Sequence, residues 1–336
     1  MSRTVRTVLG DLDPTHLGIT DSHDHLFIRT PLLPGQELDD PAAAEDVLRA
    51  YAAAGGRALV QWTPFGMGRG AGSLAALSRT TGVHVVAATG AHQAVHYPPG
   101  TDPAPDDLAA RFVAELTTGL PGTEQDPDGK QAPESKQDPG TARVPGGPGA
   151  SGAPGASGAV RAGLIKVADD AGLTTPHTRR TMAAAAEAHH ATGAPIAVHL
   201  EPDGDPHEVL FRLSNRNGVR PDRIILGHLT RFPDRTVYRS LAAEGVHLAL
   251  DSPSRFGHPA DLQAFDVIAD LVEAGHADRL LLGADTTTRT ARQAGGPTRL
   301  LTDLAPRLAR AFGPELPELL LTTNPAAAFA ADWRTP

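Results

Sequence analysis

His23 and His25 stand one residue apart at the end of the short apolar run LGITDSH. Side chains alternate along a strand, so both imidazoles share one face and Asp24 takes the other. Two imidazoles so placed can grip one metal ion, although an isolated His-x-His is a weak motif. Four more residues of ligating or nucleophilic type close apolar runs of their own: Lys166 in AGLIKVA, His199 in PIAVHL, His228 in RIILGH and Asp285 in RLLLGAD. Each has a plainer reading. His199 and His228 fit satisfied core histidines, and Asp285, with three threonines after it, fits a helix N-cap. The convergence of five strand ends on one mouth favours the chemical reading over the separate plain ones.

Lys166 is the unusual member. An unpaired ammonium closing a buried strand is costly. Beside metal cations its pKa falls, and the neutral amine is a nucleophile. Such an amine can add carbon dioxide and become a carbamate, an anionic bridge with two oxygens. Charge counting favours the carbamate, because an ammonium beside two divalent ions leaves a large positive excess in a low-dielectric site. The chain has 27 Arg and 3 Lys, and Lys130 and Lys136 fall in a Gly/Pro-rich stretch. Lys166 is thus the only lysine of the expected folded part, where Arg could not form the carbamate.

These residues need a scaffold that brings strand ends together. Eight apolar runs, at 17–23, 57–62, 83–89, 162–168, 195–200, 223–228, 246–251 and 279–285, have the length of buried strands. Helical spacing fills 41–54, 72–81, 104–118, 176–192, 205–216, 234–244, 260–275, 297–311 and 315–330. The alternation predicts an α/β fold, a (β/α)8 TIM barrel, with reactive groups at the C-terminal strand ends. The first ten residues are expected to form a small strand pair over the barrel base. Residues 1–336 are expected to form a single barrel. Residues 121–158 contain 16 Gly or Pro and almost no large apolar side chain. They are expected to form a disordered, flexible insertion between strands three and four.

The 336 residues carry 30 Lys+Arg against 39 Asp+Glu, a formal charge of −9, with no basic run. That balance argues against a nucleic-acid partner. No run of 18 apolar residues suggests a membrane span, and no signal-peptide core is evident. A cytoplasmic location is the expectation. With no Cys there is no thiolate nucleophile and no sulfur ligand. Any metal site must use the 15 His residues, carboxylates and other anions.

The opening TVLGDLDPTHLGITDSHDHLF, the VHVVAATG strand, RAGLIKVADDAGLTTP, ATGAPIAVHLE, GHLTRFPD, DSPSRF, LLLGAD and TTNPAAAF together resemble the phosphotriesterase-related family of the amidohydrolase superfamily. The resemblance covers nearly all the chain outside 121–158. It implies a distorted (β/α)8 barrel with two divalent metal ions, usually zinc, with manganese or cobalt as alternatives. It implies that His23, His25 and Asp285 hold the more buried ion and His199 and His228 the more exposed one. It implies that Lys166, carboxylated at its side-chain nitrogen, bridges them.

GHLTRFPD…DSPSRF…GAD further resembles the lactonase-like branch, whose substrates include sugar lactones bearing a phosphate. The chain departs from that branch at TTTRTARQAGGP after Asp285, at Gly257 in place of a lysine, and at His92 in place of an aromatic residue. The implied reaction is attack of a metal-bridging hydroxide on a lactone or carboxylic ester carbonyl, with Asp285 as the catalytic proton acceptor. A phosphotriesterase or phosphodiesterase reaction at the same centre is the alternative. A non-catalytic binding protein on the same barrel is a second. His92, Arg255 and Arg289 are candidate substrate-binding residues. His96, His177, His189, His190 and His207 are expected at the surface. Family members are often dimers, so a homodimer is a further expectation.

Overall fold

The computed structural model describes residues 3–101, 104–121, 159–173, 175–232, 234–251 and 259–336. Eight parallel strands form the barrel: β3 (Thr20–Asp24), β4 (Ala58–Gln61), β5 (His84–Gly90), β6 (Leu164–Ala168), β7 (Ile196–His199), β8 (Ile224–Gly227), β9 (His247–Asp251) and β10 (Leu280–Gly283). They are ordered sequentially from β3 to β10. β1 (Thr4–Thr7) and β2 (Gly10–Leu12) pair antiparallel as the sequence suggests. A third short strand, β11 (Ala330–Ala331), joins β1 from the far end of the chain. The expected insertion at 121–158 lies outside the described residues apart from position 121. Among the described residues no helix is long and apolar enough to cross a membrane.

Strand alternation sorts the side chains into two cores. Ala58, Val60 and Trp62, Val86 and Ala88, Leu164, Ala197, Ile225, Ala249 and Leu281 fill the barrel with side chains. Their neighbours Leu59, Val85, Ala87, Ile165, Val167, Ile196, Val198, Leu248, Leu250, Leu280 and Leu282 face outward under the helices. The same period of two turns Lys166 inward with Leu164, and His199 inward with Ala197. The apolar runs therefore end in inward-facing polar groups because the strand parity carries them there.

The barrel closes between β3 and β10 without a regular ladder. Asp21 Oδ1 accepts from Ala284 N at 3.1 Å and from His23 N at 3.2 Å. Asp285 N donates to His23 O at 2.8 Å, and Thr286 N donates to Asp24 Oδ1 at 2.7 Å. The register of β3 on β4 shifts between Asp21 and Asp24. Asp24 thus serves the seam while the flanking histidines keep the mouth.

Helices alternate with the strands: α1 (Pro41–Ala53), α2 (Ala71–Thr81), α3 (Leu108–Thr117), α4 (Pro176–Thr192), α5 (Pro206–Leu210), α6 (Arg235–Ala243) and α7 (Pro259–Glu273). α8 (Arg289–Gln293), α9 (Ala305–Phe312), α10 (Glu315–Glu318) and α11 (Asn324–Phe329) complete them. α4 shows why the boundaries were legible. Thr175 caps it by accepting from Thr178 N, Pro176 opens its first turn, and Gly193 ends it at φ +82°. The expected helices at 205–216, 297–311 and 315–330 are instead each broken by a wider π-type turn, at Phe211–Arg216, Leu300–Leu304 and Leu319–Thr323.

Arg69 is wholly buried and meets Glu115 in a fork, at 2.7 and 2.9 Å, while Thr89 donates to the same carboxylate at 2.6 Å. This network ties β5 and α3 to the segment after β4. Removing one partner leaves a buried charge unpaired. Glu115→Ala is expected to destabilise the fold by about 3–5 kcal/mol, measured by denaturant unfolding. A loss below about 1 kcal/mol, the scale of an exposed pair, would contradict this reading.

Candidate active site at the barrel mouth

Lys166, His199, His228, His23, His25 and Asp285 all line one cavity of about 260 Å³ at the C-terminal strand ends. Ile28, Leu32, Leu33, Pro64 and Met67 give it an apolar side, and His92, His96 and Arg231 a polar one. Lys166 and His199 sit in strands. His228 and Asp285 sit one and two residues past their ladders, where the backbone turns left-handed, at φ +63° and +49°. Non-glycine residues rarely adopt that conformation, and its cost is commonly held at functional sites. The glycines before them make room. A Cβ on Gly283 would lie 2.6 Å from His23 Cβ and 2.9 Å from Asp251 Oδ1, and one on Gly227 would lie 3.2 Å from Asp251 Oδ2.

The tautomers follow from the partners. Thr63 Oγ1 donates to Phe27 O at 2.5 Å, so it accepts from His25 Nδ1 at 2.7 Å. That leaves His25 Nε2 as a lone pair, 3.6 Å from Asp285 Oδ1. His23 Nδ1 stands 3.0 Å from Asp251 Oδ1, at hydrogen-bond distance but off its preferred angle. His23 Nε2 then faces Asp285 Oδ1, also at 3.6 Å. The His23 ring stacks on Trp62 at 3.7 Å between centroids. Asp251 Oδ2 lies 3.3 Å from His228 Nδ1, so one carboxylate orients two imidazoles. His199 Nε2 points to Glu201 Oε1 at 3.1 Å, and Gln93 Nε2 donates to the same oxygen at 2.8 Å.

Burial sets the charges. It holds His25 down to about 4 and His199 to about 3, with His228 well below the usual imidazole range. Burial also pushes the Lys166 amine down to about 7, against the pull of Asp285 and Glu201. These three imidazoles are therefore neutral, which is the ligating form. Two imidazole lone pairs facing a carboxylate oxygen repel unless a cation or proton lies among them. Ligand atoms of His23, His25 and Asp285 lie within 4.8 Å of one another, as do those of His23, His228 and Asp251. The donor set fits a divalent metal.

The substrate candidates divide. His92 is buried and lines the cavity. Arg289 is exposed instead. It donates to Glu37 O at 3.2 Å and is not among the cavity-lining residues, because α8 turns it toward the loop at 36–39. Arg255 lies outside the described residues. Two of the expected surface histidines are not at the surface. His96 lines the cavity, and burial pushes it down to about 4. His189 is buried, with Nδ1 donating to Ala194 O at 2.6 Å.

Asp251, Thr63, Glu201 and Arg231 were not singled out from sequence. Asp251 closes the run VHLALD as Asp285 closes RLLLGAD, and Glu201 shares strand parity with His199. Thr63 and Arg231 carry no comparable signal.

An eight-stranded parallel barrel whose strand ends gather histidines, a carboxylate and a lysine defines a metal-hydrolase class of site. The profile of the phosphotriesterase family matches residues 3–127 and 151–329, so the chain belongs to that family and is a hydrolase of it. A phosphotriesterase homology protein of Mycobacterium tuberculosis is 28% identical over 299 residues, covering 84% of this chain and 80% of that one. A phospho-furanose lactonase of Mycoplasmopsis agalactiae is 28% identical over 268 residues, covering 76% and 69%. The crystal structure of the Escherichia coli phosphotriesterase homology protein, complexed with phosphate in its active site, superposes with a TM-score of 0.77. It is 26% identical and covers 95% of this chain and 100% of that one.

Proposed function

We propose that the chain hydrolyses lactones or carboxylic esters with two divalent metal ions, zinc foremost. His23, His25 and Asp285 would hold the more buried ion, His199 and His228 the more exposed one, and Lys166, carboxylated, would lie between them. The bound ions supply Lewis acidity, which acidifies a water and polarises a carbonyl oxygen. The observation that carries the reading is the convergence of His23 Nε2 and His25 Nε2 on Asp285 Oδ1, each at 3.6 Å.

This chain's own residues do the rest. Thr63, Asp251 and Glu201 stand beside four rings, those of His25, His23 and His228, and His199, as outer partners of ligating histidines do. Asp285 would take a proton from the attacking water and return it to the oxygen that leaves. The apolar side at Ile28, Leu32, Leu33 and Met67 would receive the substrate's carbon skeleton. The 28% identical lactonase supports a lactone over a phosphotriester.

A panel of lactones, aryl esters and organophosphates, presented to zinc-loaded protein, checks this. Turnover should be highest on a lactone. Turnover confined to organophosphates would replace the reading with phosphotriester hydrolysis. Inertness across the panel, with tight retention of one ligand, would replace it with a binding role.

A further inference from the structure

His92 is held at its main-chain N–H, its carbonyl and its ring Nδ1. Its amide N donates to Tyr97 Oη at 2.9 Å, and its carbonyl accepts from His177 Nε2 at 2.7 Å. Its ring Nδ1 accepts from Gln93 N at 2.8 Å. A main-chain amide can only donate, so Nδ1 carries no proton and the neutral ring carries it on Nε2. A protonated ring would set two N–H groups against each other. The ring lines the cavity with its centroid 4.7 Å from that of His199, and it packs on His96 at 3.9 Å. Gln93 is fixed in turn, donating from Nε2 to Asp169 O at 2.5 Å and to Glu201 at 2.8 Å. The result is one N–H on a fixed ring that lines the same cavity as His199 and Asp285 and whose other polar atom is occupied.

We infer that His92 is a catalytic hydrogen-bond donor: its Nε2–H stabilises the oxygen on which charge develops as the acyl C–O bond breaks. The inference rests on the proposed ester or lactone hydrolysis. In that reaction water oxygen bonds to the acyl carbon. The C–O bond to the leaving oxygen breaks with its electron pair on that oxygen. The water proton held by Asp285 passes to it. His92 donates a hydrogen bond throughout and transfers no proton, so the ring never has to become an anion. A donor fixed before the substrate arrives needs no reorganisation, and removing one such donor costs about 10²-fold in kcat.

The demand on this donor depends on the leaving group. An alkoxide leaving from a lactone needs the hydrogen bond more than an aryl oxide does. His92→Phe is therefore expected to lose about 10²-fold in kcat on a lactone, with KM little changed and a smaller loss on a 4-nitrophenyl ester. His92→Gln, which keeps an N–H donor, should recover part of the lactone loss. Equal losses on both substrates, or a loss confined to KM, would overturn the inference. A separate readout needs no activity. Nitrogen NMR of the metal-free chain should show the His92 ring as the Nε2–H tautomer, and an Nδ1–H tautomer would overturn the inference. Failure of the wild-type chain on every lactone and ester would instead sink the proposed function, so the two failures are distinguishable.

Discussion

Asp285→Asn should lower kcat on the best lactone by about 10³-fold, within the range of general acid–base catalysis, with little change in KM. The amide keeps the shape of the carboxylate but cannot hold the proton of the attacking water. Asp285 is fixed by its left-handed turn and by its own N–H, which donates to His23 O at 2.8 Å. The side chain is therefore delivered to the same place in the variant. In the metal-free chain, removal of one acceptor facing the His23 and His25 lone pairs should leave thermal stability equal or raised. Steady-state kinetics and a melting curve on the same preparations check both halves. Full turnover in the variant would remove Asp285 from the mechanism. A collapse in stability would make its role structural.

Lys166→Met carries the second large effect. Lys166 is buried, and burial brings its amine down to about 7 against the pull of Asp285 and Glu201, before any ion binds. The uncharged amine is the form that adds carbon dioxide. The native wild-type chain is thus expected to be heavier by one carbon dioxide, and the variant not. Reloading of metal-free wild-type protein should quicken with added bicarbonate, more so as the pH rises through about 7, because the amine loses its proton there. Loss of the bridging anion forfeits several kcal/mol of charge stabilisation, or about 10³-fold in rate. The same substitution should stabilise the metal-free fold by about 1–3 kcal/mol, since a buried amine is replaced by an apolar chain of similar shape.

How legible the site was depended on whether a residue's position follows from strand parity. Lys166 and His199 are two residues beyond inward-facing Leu164 and Ala197, so alternation alone placed them. His228 and Asp285 were legible as the polar ends of apolar runs, though their left-handed turns were not. Asp251 offered the same signal. What it lacked was any sequence trace of its partners, because His23 and His228 reach it from opposite sides of the barrel closure. Arg289 misled for the converse reason. Nearness to Asp285 in sequence suggested nearness to the cavity, yet one short helix turns it away onto Glu37. Arg231 lines the cavity from a 3-10 turn at Leu229–Arg231, where no periodic pattern predicts which way a side chain points. The π-type turns were invisible because each adds about one residue to a turn, a shift too small to stand out against the helical spacing of its run.

Lactone or ester hydrolysis should depend on two ions held by this residue set. The most direct test is the rate of lactone opening against equivalents of zinc returned to chelator-treated protein with bicarbonate present, for wild type and for Lys166→Met. The wild-type rate should climb and break at two equivalents per chain, while the variant stays about 10³-fold lower throughout. A wild-type rate independent of added zinc, or a variant that follows the wild-type curve, would contradict it.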